Sequence, residues 1–280
     1  MALPSLSLFL FPIFFILIAK ATAQPPSFLY YFCMNDNGNY TNNSAYKTNL
    51  NALLSALPTN NGNGYGFYNL SRGTGTDTVN AIGLCRGDVA TDVCRSCLDN
   101  ATQLLPTICP NQKEAVGWYD FCMLRYSNRT ILGTRETDQK FFMWNLNNVS
   151  SNVEAFYGAL RGLLDELKTR AASGGSLRKF AAGNASAPGF TTIYALVQCT
   201  PDLSRQDCND CLDDAFGNLR DCCNGKIGGR VIGPSCNFRY EVRLFYQPTP
   251  DAPLGPSPPS PPPAVSSSPP PTNTTSTPGT

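Results

Sequence analysis

The pattern of hydrophobic and polar residues predicts strands and helices along this chain. From Cys236 to Leu244, every second residue is hydrophobic and the residues between them are polar. Alternation with period two predicts a strand with one buried face and one polar face. On this pattern Glu241 shares the polar, solvent-reachable face with Arg239 and Arg243.

Apolar residues at helical spacing predict four helices. The first carries Tyr46, Leu50, Leu53, Leu54 and Leu57, and ends at Pro58. The third carries Val153, Phe156, Leu160, Leu163, Leu164 and Leu167. We expect the second to begin near Asp88 or Thr91 and the fourth at Ser204, because these side chains can cap free backbone N–H groups.

Runs of aromatic and β-branched residues predict further strands at 28–33, 79–85, 190–199 and 122–126, and one near Val116. Each half of the chain therefore combines two helices with several strands. Two helices packed on an antiparallel sheet form an α+β domain, which is the fold class that we predict.

Two cysteine clusters repeat with the same spacing. The segments 85–97 and 199–211 both follow the pattern C-x8-C-x2-C. Five cysteines recur at an offset of 114 residues, and an Arg-Tyr pair follows the last cysteine of each set. So many matches predict a tandem repeat of one domain of about 105 residues.

This combination of motifs resembles the plant cysteine-rich repeat domain, also called the ginkbilobin-homologous or stress-antifungal domain. That family includes ginkbilobin, secreted cysteine-rich repeat proteins and the ectodomains of cysteine-rich receptor-like kinases. The resemblance covers roughly residues 27–246. It implies five antiparallel strands and two helices in each repeat.

The composition divides the chain into four segments. Residues 1–23 contain an apolar run and a small-x-small site, Ala21-Thr22-Ala23, which predict a secretory signal peptide. The alternative is a membrane anchor, but the run is short for a span of about 20 residues. We assign the two domains to 27–128 and 141–246, and residues 247–280 to a Pro/Ser/Thr-rich tail that lacks the apolar surface to join a core.

Twelve cysteines indicate an oxidising compartment and a disulfide framework. The family resemblance implies the pairs Cys33–Cys109, Cys85–Cys94, Cys97–Cys122, Cys199–Cys208 and Cys211–Cys236. Cys223 lacks the partner that this scheme requires, and Cys222 is an additional cysteine. A bond between Cys222 and Cys223, two free thiols and an intermolecular bridge all remain open.

Secretion is also supported by eight N-x-S/T sequons, which mark glycosylation sites in secreted chains. They lie at Asn39, Asn42, Asn69, Asn100, Asn128, Asn148, Asn184 and Asn273. No hydrophobic stretch follows the tail, so we expect no membrane span in this chain and an extracellular location, in the apoplast or cell wall. A secreted protein and a truncated receptor ectodomain both fit these features.

The composition argues against most catalytic chemistry. The chain has no histidine, which removes the usual Ser-His-Asp and Cys-His machinery and the mixed Cys/His zinc sites. The carboxylates of Asp213 and Asp214 are neighbours on a predicted helix and point in different directions. A net charge of +1 gives no reason to expect nucleic acid. We therefore predict a binding protein without a metal or cofactor.

The resemblance suggests one specific ligand site. Ginkbilobin binds mannose through an Asn after its first cysteine, an Arg before its last cysteine and a Glu after it. The matching positions here are Asn145, Arg230 and Glu241 in the second repeat, when Trp144 is aligned with Cys33. The first repeat lacks the site, because its positions hold Met34, Val116 and Ser127.

Two functional hypotheses follow. In the first, the protein is a mannose-binding, antifungal-like module. In the second, it is a protein-interaction or signalling ectodomain that docks an extracellular protein partner, and Arg230 and Glu241 form only an exposed ion pair between strands. The sequence does not choose between a glycan and a protein ligand.

Overall fold

The structure of the protein is a computed structural model that describes residues 26–150 and 152–248. The predicted signal peptide, the tail from residue 249 onward and the sequon at Asn273 lie outside these ranges. Two five-stranded antiparallel sheets form the core of the described chain. The predicted tandem α+β fold is therefore confirmed.

The first domain contains five strands and two helices. Its elements in chain order are β1 (Phe28–Cys33), α1 (Ala45–Ala56), β2 (Phe67–Arg72), β3 (Val79–Cys85), α2 (Thr91–Ile108), β4 (Ala115–Tyr119) and β5 (Cys122–Ser127). The strands lie in the order β1-β4-β5-β3-β2. Both helices pack on one face of this sheet, where Leu50, Leu98 and Leu124 belong to one buried cluster.

The second domain repeats this topology and divides the second helix. Its elements are β6 (Phe141–Trp144), α3 (Val153–Ala172), β7 (Lys179–Ala187), β8 (Thr191–Cys199), α4 (Arg205–Gly217), α5 (Leu219–Cys223), β9 (Gly229–Ile232) and β10 (Cys236–Glu241). The strands lie in the order β6-β9-β10-β8-β7, which matches the first domain strand for strand.

One predicted helix cap is correct and one is wrong. Ser204 caps α4, because its Oγ accepts a hydrogen bond from the backbone N–H of Asp207 at 3.0 Å. α2 begins at Thr91, as predicted, but the residue that precedes it is Ala90, which offers no capping side chain, so neither Asp88 nor Thr91 caps this helix. Asp88 instead binds the guanidinium of Arg86 with both carboxylate oxygens.

The alternation in the last strand ends earlier than predicted. It holds through Glu241, and the predicted buried position of Leu244 is wrong because that residue is 53% exposed. The chain leaves the sheet after β10 and places Tyr246 in a buried cluster with Ala182 and Leu196. Packing of this returning segment replaces the alternating pattern.

The disulfides tie each sheet to its helices. Five bonds are those implied by the family resemblance: Cys33–Cys109, Cys85–Cys94, Cys97–Cys122, Cys199–Cys208 and Cys211–Cys236. The sixth joins the neighbours Cys222 and Cys223. No free cysteine remains in the described part of the chain.

Strand register explains why Cys223 lacks the partner found in the first domain. Cys33 lies opposite Ala115 in the first sheet, and Trp144 lies opposite Gly229 in the second. Gly229 is 114 residues after Ala115, so Trp144 occupies the structural position of Cys33. The alignment of Trp144 with Cys33 is correct.

The two sheets meet through the faces that carry no helices. In the first sheet, Leu84, Trp118 and Met123 alternate with residues that face the helices, so they point to the opposite side. They form one cluster with Ile232, and Phe141 packs against it. The faces of the two sheets without helices are therefore partly buried against each other.

Candidate functional site

The structure brings two of the three predicted ligand residues together. Asn145 follows β6, and its Nδ2 donates a hydrogen bond to Oε2 of Glu241 at 3.2 Å. Arg230 lies on β9 opposite Arg239, and its guanidinium forms an ion pair with Asp120 of the first domain. Arg239 instead provides the cation beside Glu241, with Nη2 3.3 Å from Oε1.

The backbone makes room for the Glu241 carboxylate at Gly228. A Cβ atom built on Gly228 would lie 2.0 Å from Oε2 of Glu241, which is far closer than any real contact. The carbonyl of the same glycine accepts the backbone N–H of Asn145 at 2.9 Å. Gly228 therefore holds the amide and the carboxylate side by side.

Asp120 is surrounded by three arginines. It lies in the turn between β4 and β5 and forms its closest ion pair with Arg230. Arg239 lies 3.6 Å and Arg86 3.7 Å from its carboxylate oxygens. Like charges directly opposite each other on neighbouring strands are unfavourable. The Asp120 carboxylate offsets the repulsion between Arg230 and Arg239 and ties both strands to the first domain.

The electrostatics of this cluster follow from burial and charge. Burial by itself would raise the pKa of Asp120, but its attraction to Arg230, Arg239 and Arg86 outweighs burial and holds the pKa below its usual value of 3.8. Burial lowers the pKa of Arg239, and the neighbouring Arg230 lowers it further. Asp120 is therefore ionised at neutral pH.

A cavity lies between the domains beside this cluster. Arg86, Asp120, Arg230 and Gln198 are among its lining residues. Of the three predicted ligand residues, only Arg230 lines this cavity, so Asn145 and Glu241 would contact a ligand outside it.

A second ion cluster is buried in the first domain. Glu114 is fully buried and accepts hydrogen bonds from Arg125 at 2.8 Å and from Arg129 at 2.8 and 3.0 Å. Glu136, from the segment that joins the domains, also pairs with both arginines. This cluster fixes the connecting segment to the first sheet.

The remaining candidate groups are engaged elsewhere. Asp213 forms an ion pair with Lys168, and Asp214 forms one with Lys140, so their carboxylates do not converge. Cys94 and Cys97, the C-x2-C pair of the first cysteine cluster, are bonded to Cys85 and Cys122. Within residues 26–150 and 152–248, no cluster of three or more ligating side chains could hold a metal ion.

Most of the sequons have the exposure that glycosylation requires. Six are on exposed residues: Asn39, Asn42, Asn69, Asn100, Asn148 and Asn184. Asn128 is half-buried. Use of these sites stays a prediction.

The family model for salt stress response/antifungal proteins matches this chain twice, at residues 32–129 and 139–243. The chain belongs to the salt stress response/antifungal family. The two matches cover both domains except for the first four residues of β1. The cysteine spacing, two of the disulfides and the strand order repeat between the domains.

Among relatives in this family, cysteine-rich receptor-like protein kinase 29 of Arabidopsis thaliana is 50% identical over 226 residues, which are 80% of this chain and 33% of the kinase. The antimicrobial ginkbilobin-2-like protein of Castanea crenata is 42% identical over 78% of this chain and 88% of that protein. Cysteine-rich repeat secretory protein 38 of Arabidopsis thaliana is 39% identical over 80% of this chain and 87% of that protein. The chain spans about a third of the length of the matched kinases.

Two solved structures share the family fold. The tandem DUF26 ectodomain of the Arabidopsis thaliana cysteine-rich receptor-like protein PDLP5 matches with a TM-score of 0.62 and 27% identity, over 77% of this chain and 99% of that one. The PDLP8 ectodomain matches with a TM-score of 0.66 and 24% identity, over 77% of this chain and 98% of that one. The chain is thus an extracellular-type tandem module. None of its helices in the described ranges has the length and hydrophobicity to cross a bilayer.

Sequence reasoning missed three members of the site at the domain boundary. Asp120, Arg86 and Arg239 were not predicted to take part in it. The sequence could have pointed to Arg239, because it belongs to the Arg-Tyr pair that repeats after the last cysteine. No sequence pattern points to Asp120, because it is 110 residues from Arg230 in the chain and contacts it only through domain packing.

Acidification is expected to destabilise the protein through its paired carboxylates. Hydrogen bonds from Arg129 and Arg125 outweigh the burial that would raise the pKa of Glu114, so its folded pKa, like that of Asp120, lies below the unfolded value. Their contribution is complete above the unfolded pKa and is lost as pH falls through the folded pKa. Urea unfolding should show falling stability below about pH 5.

An Asp120→Asn variant should show a shallower fall over the same pH range. Asp213→Asn, at an exposed ion pair on α4, is the matched control and should follow the wild-type curve. Identical pH dependence in the wild type and Asp120→Asn would show that Asp120 makes no such contribution.

Proposed function

We propose that this chain is an extracellular recognition module that binds the mannose end of a glycan weakly through its second domain. The observation that supports the proposal is the pairing of Asn145 with Glu241 beside Arg239. An amide, a carboxylate and a guanidinium together supply donors and acceptors for sugar hydroxyls. All three of these residues are partly exposed.

The proposal assigns Arg230 a supporting role. Its ion pair with Asp120 holds β9 and β10 in place, and Arg239 carries the charge beside the ligand. We propose binding rather than catalysis, because the site has no histidine. The carboxylate of Asp120, which would have to act together with Glu241, is already paired with Arg230. Because one relative is an antimicrobial ginkbilobin-2-like protein, we include a role in antimicrobial defence in this proposal.

Mannose titration followed by amide NMR shifts tests this function. A small site that competes with water for each hydroxyl should give a dissociation constant on the order of 0.1–10 mM. Glu241→Ala should abolish the shifts without unfolding, since the side chain is partly exposed and lies outside both cores. Glu166→Ala, on the exposed face of α3 in the same domain, is the control and should bind as the wild type does.

A second candidate is a protein-interaction or signalling ectodomain. Two observations favour it: the 50% identity to a receptor-like kinase over its matched segment, and the engagement of Arg230 by Asp120. If roughly tens of millimolar mannose, well above the expected range, cause no shifts at Asn145 or Glu241, the glycan function is wrong and this second function stands. Apoplast or cell-wall location belongs to both proposals and is testable with a tagged full-length chain.

A further inference from the structure

The edge strands of the two sheets differ in how they are protected. In the described chain, β1 and β2 are the edges of the first sheet, and β6 and β7 those of the second. An exposed sequon asparagine lies on β2 at Asn69 and on β7 at Asn184. A glycan on either residue would cover its edge, and β1 contains no sequon.

β1 also lacks two of the features that usually keep edge strands apart. Proteins protect exposed edges with charged residues, proline, bulges or short strands. The pairing of β1 with β4 shifts register between Phe28 and Tyr30, and it is regular from Tyr30 to Cys33. The six residues of β1, Phe-Leu-Tyr-Tyr-Phe-Cys, include no charge and no proline. Phe28 is 36%, Tyr30 45% and Tyr31 40% exposed, so three aromatic side chains reach solvent along a backbone edge with which no other described strand pairs.

The aromatic rings of β1 are held in place by packing. On one face, the rings of Phe28 and Tyr31 are 5.9 Å apart. On the other face, Tyr30 stacks on Phe141 of the second domain at 5.1 Å. That stack continues into the cluster between the domains, since the ring of Phe141 also lies 5.3 Å from that of Trp118. Tyr30 therefore extends the existing interface between the domains, and the packed rings lose little entropy on binding.

We propose that the β1 edge binds the β1 edge of a second copy of this chain. Because β1 carries no charge, two copies meet without like-charge repulsion, and each edge offers the backbone N–H and C=O groups that the other lacks. Antiparallel pairing about a twofold axis joins two five-stranded sheets into one of ten strands and leaves the interface closed.

Strand geometry restricts the register of this pairing. A twofold axis between antiparallel strands is perpendicular to the sheet, so residues that point to the helix side must lie opposite residues that also do so. Tyr31 points to that side, since its partner Gly117 faces Leu105. Pairing Tyr31 with its own counterpart satisfies this rule and places Tyr30 opposite Phe32. Asn39 is the first sequon after β1, and it forms a β-bridge with Gln112. Gln112 is five residues from Gly117, the partner of Tyr31, so Asn39 lies about 17 Å from Tyr31 along the strand. A glycan on Asn39 would therefore leave this pairing unobstructed.

The interface is small, so the dimer is weak. Three side chains, each exposed by about a third to a half, add only a few hundred Å² of apolar surface for each copy, which is below the standard size of a stable complex. We expect the protein to be a monomer at about 5 μM and substantially dimeric at about 500 μM.

Analytical ultracentrifugation of the glycosylated, secreted protein across this range tests the proposal. The wild type should approach twice its monomer mass, and Tyr31→Lys should weaken association by at least about tenfold, because it places two like charges opposite each other. Tyr65→Lys changes a tyrosine that is 53% exposed and lies outside β1, so it should associate as the wild type does.

Amide hydrogen exchange provides an independent readout and guards against misfolding of the variants. Exchange along 28–33 should slow at high wild-type concentration and stay fast in Tyr31→Lys, while both proteins keep the same melting temperature. A wild type that stays monomeric at about 500 μM overturns the proposal. A Tyr31→Lys protein that dimerises as strongly as the wild type also overturns it, because the contact then lies elsewhere.

Discussion

Replacing Glu114 with alanine is expected to lower the free energy of unfolding by about 3–5 kcal/mol. Glu114 is fully buried and receives hydrogen bonds from Arg125 and Arg129, and Arg125 is itself 2% exposed. Removing one partner of a buried ion pair leaves the other charge without solvation. Glu136 also pairs with both arginines and retains part of the compensation. Urea unfolding followed by far-UV circular dichroism measures the loss.

Two variants define the cause of that loss. Glu166→Ala removes an exposed glutamate with a 3.3 Å ion pair to Arg170, and should cost no more than about 1 kcal/mol. Glu114→Gln keeps the side-chain shape and removes the charge, so its cost should lie between the two. If Glu114→Ala and Glu166→Ala lower the free energy of unfolding by the same amount, the buried cluster contributes no more to stability than a surface ion pair.

Elements with a strong repeating pattern were predictable from sequence. The helix α3 has apolar residues at helical spacing, and all but one of its predicted apolar positions lie in the core, Val153 being exposed. The strands β2 and β7 were not predicted from their own residues. β2, Phe-Tyr-Asn-Leu-Ser-Arg, is half polar, and β7, Lys-Phe-Ala-Ala-Gly-Asn-Ala-Ser-Ala, consists mostly of small residues. Both form strands because they pair with β3 and β8. The family resemblance supplied the count of five strands.

The candidate site was predictable only within one domain. Alternation placed Glu241 on the polar face, and alignment of Trp144 with Cys33 placed Asn145 beside it. The partner of Arg230 could not be predicted, because Asp120 reaches it only when the two sheets pack together. Glu114 gave no signal either, since a glutamate in a sequence is usually exposed and its burial depends on two arginines that come later in the chain.

The two domains use their disulfides differently, although their strands match. In the first domain, Cys33 on β1 is bonded to Cys109 after α2, so the edge strand is tied to the end of a helix. In the second, Trp144 stands at that position, and Cys223 is bonded to its neighbour Cys222. The second domain therefore holds its first strand by packing and hydrogen bonds alone. Helix α3, at 20 residues against 12 in α1, provides additional buried surface.

Removing the Cys33–Cys109 bond, by changing both residues to alanine, is expected to lower the free energy of unfolding by about 4–5 kcal/mol. The bond closes a loop with a sequence separation of 76 residues, the longest of the six in the described chain. Cutting a long loop restores much conformational freedom to the unfolded chain. Thermal and urea unfolding should both show the loss, and β1 should exchange its amide hydrogens faster.

The matched control is the double change of Cys222 and Cys223 to alanine. Their sequence separation is 1, so this bond constrains the unfolded chain very little and its removal should cost at most about 1 kcal/mol. Cys109 and Cys223 occupy equivalent positions 114 residues apart, but only the Cys33–Cys109 bond closes a long loop. Equal losses in the two variants would contradict the loop argument and would show that local packing of the sulfur atoms dominates instead.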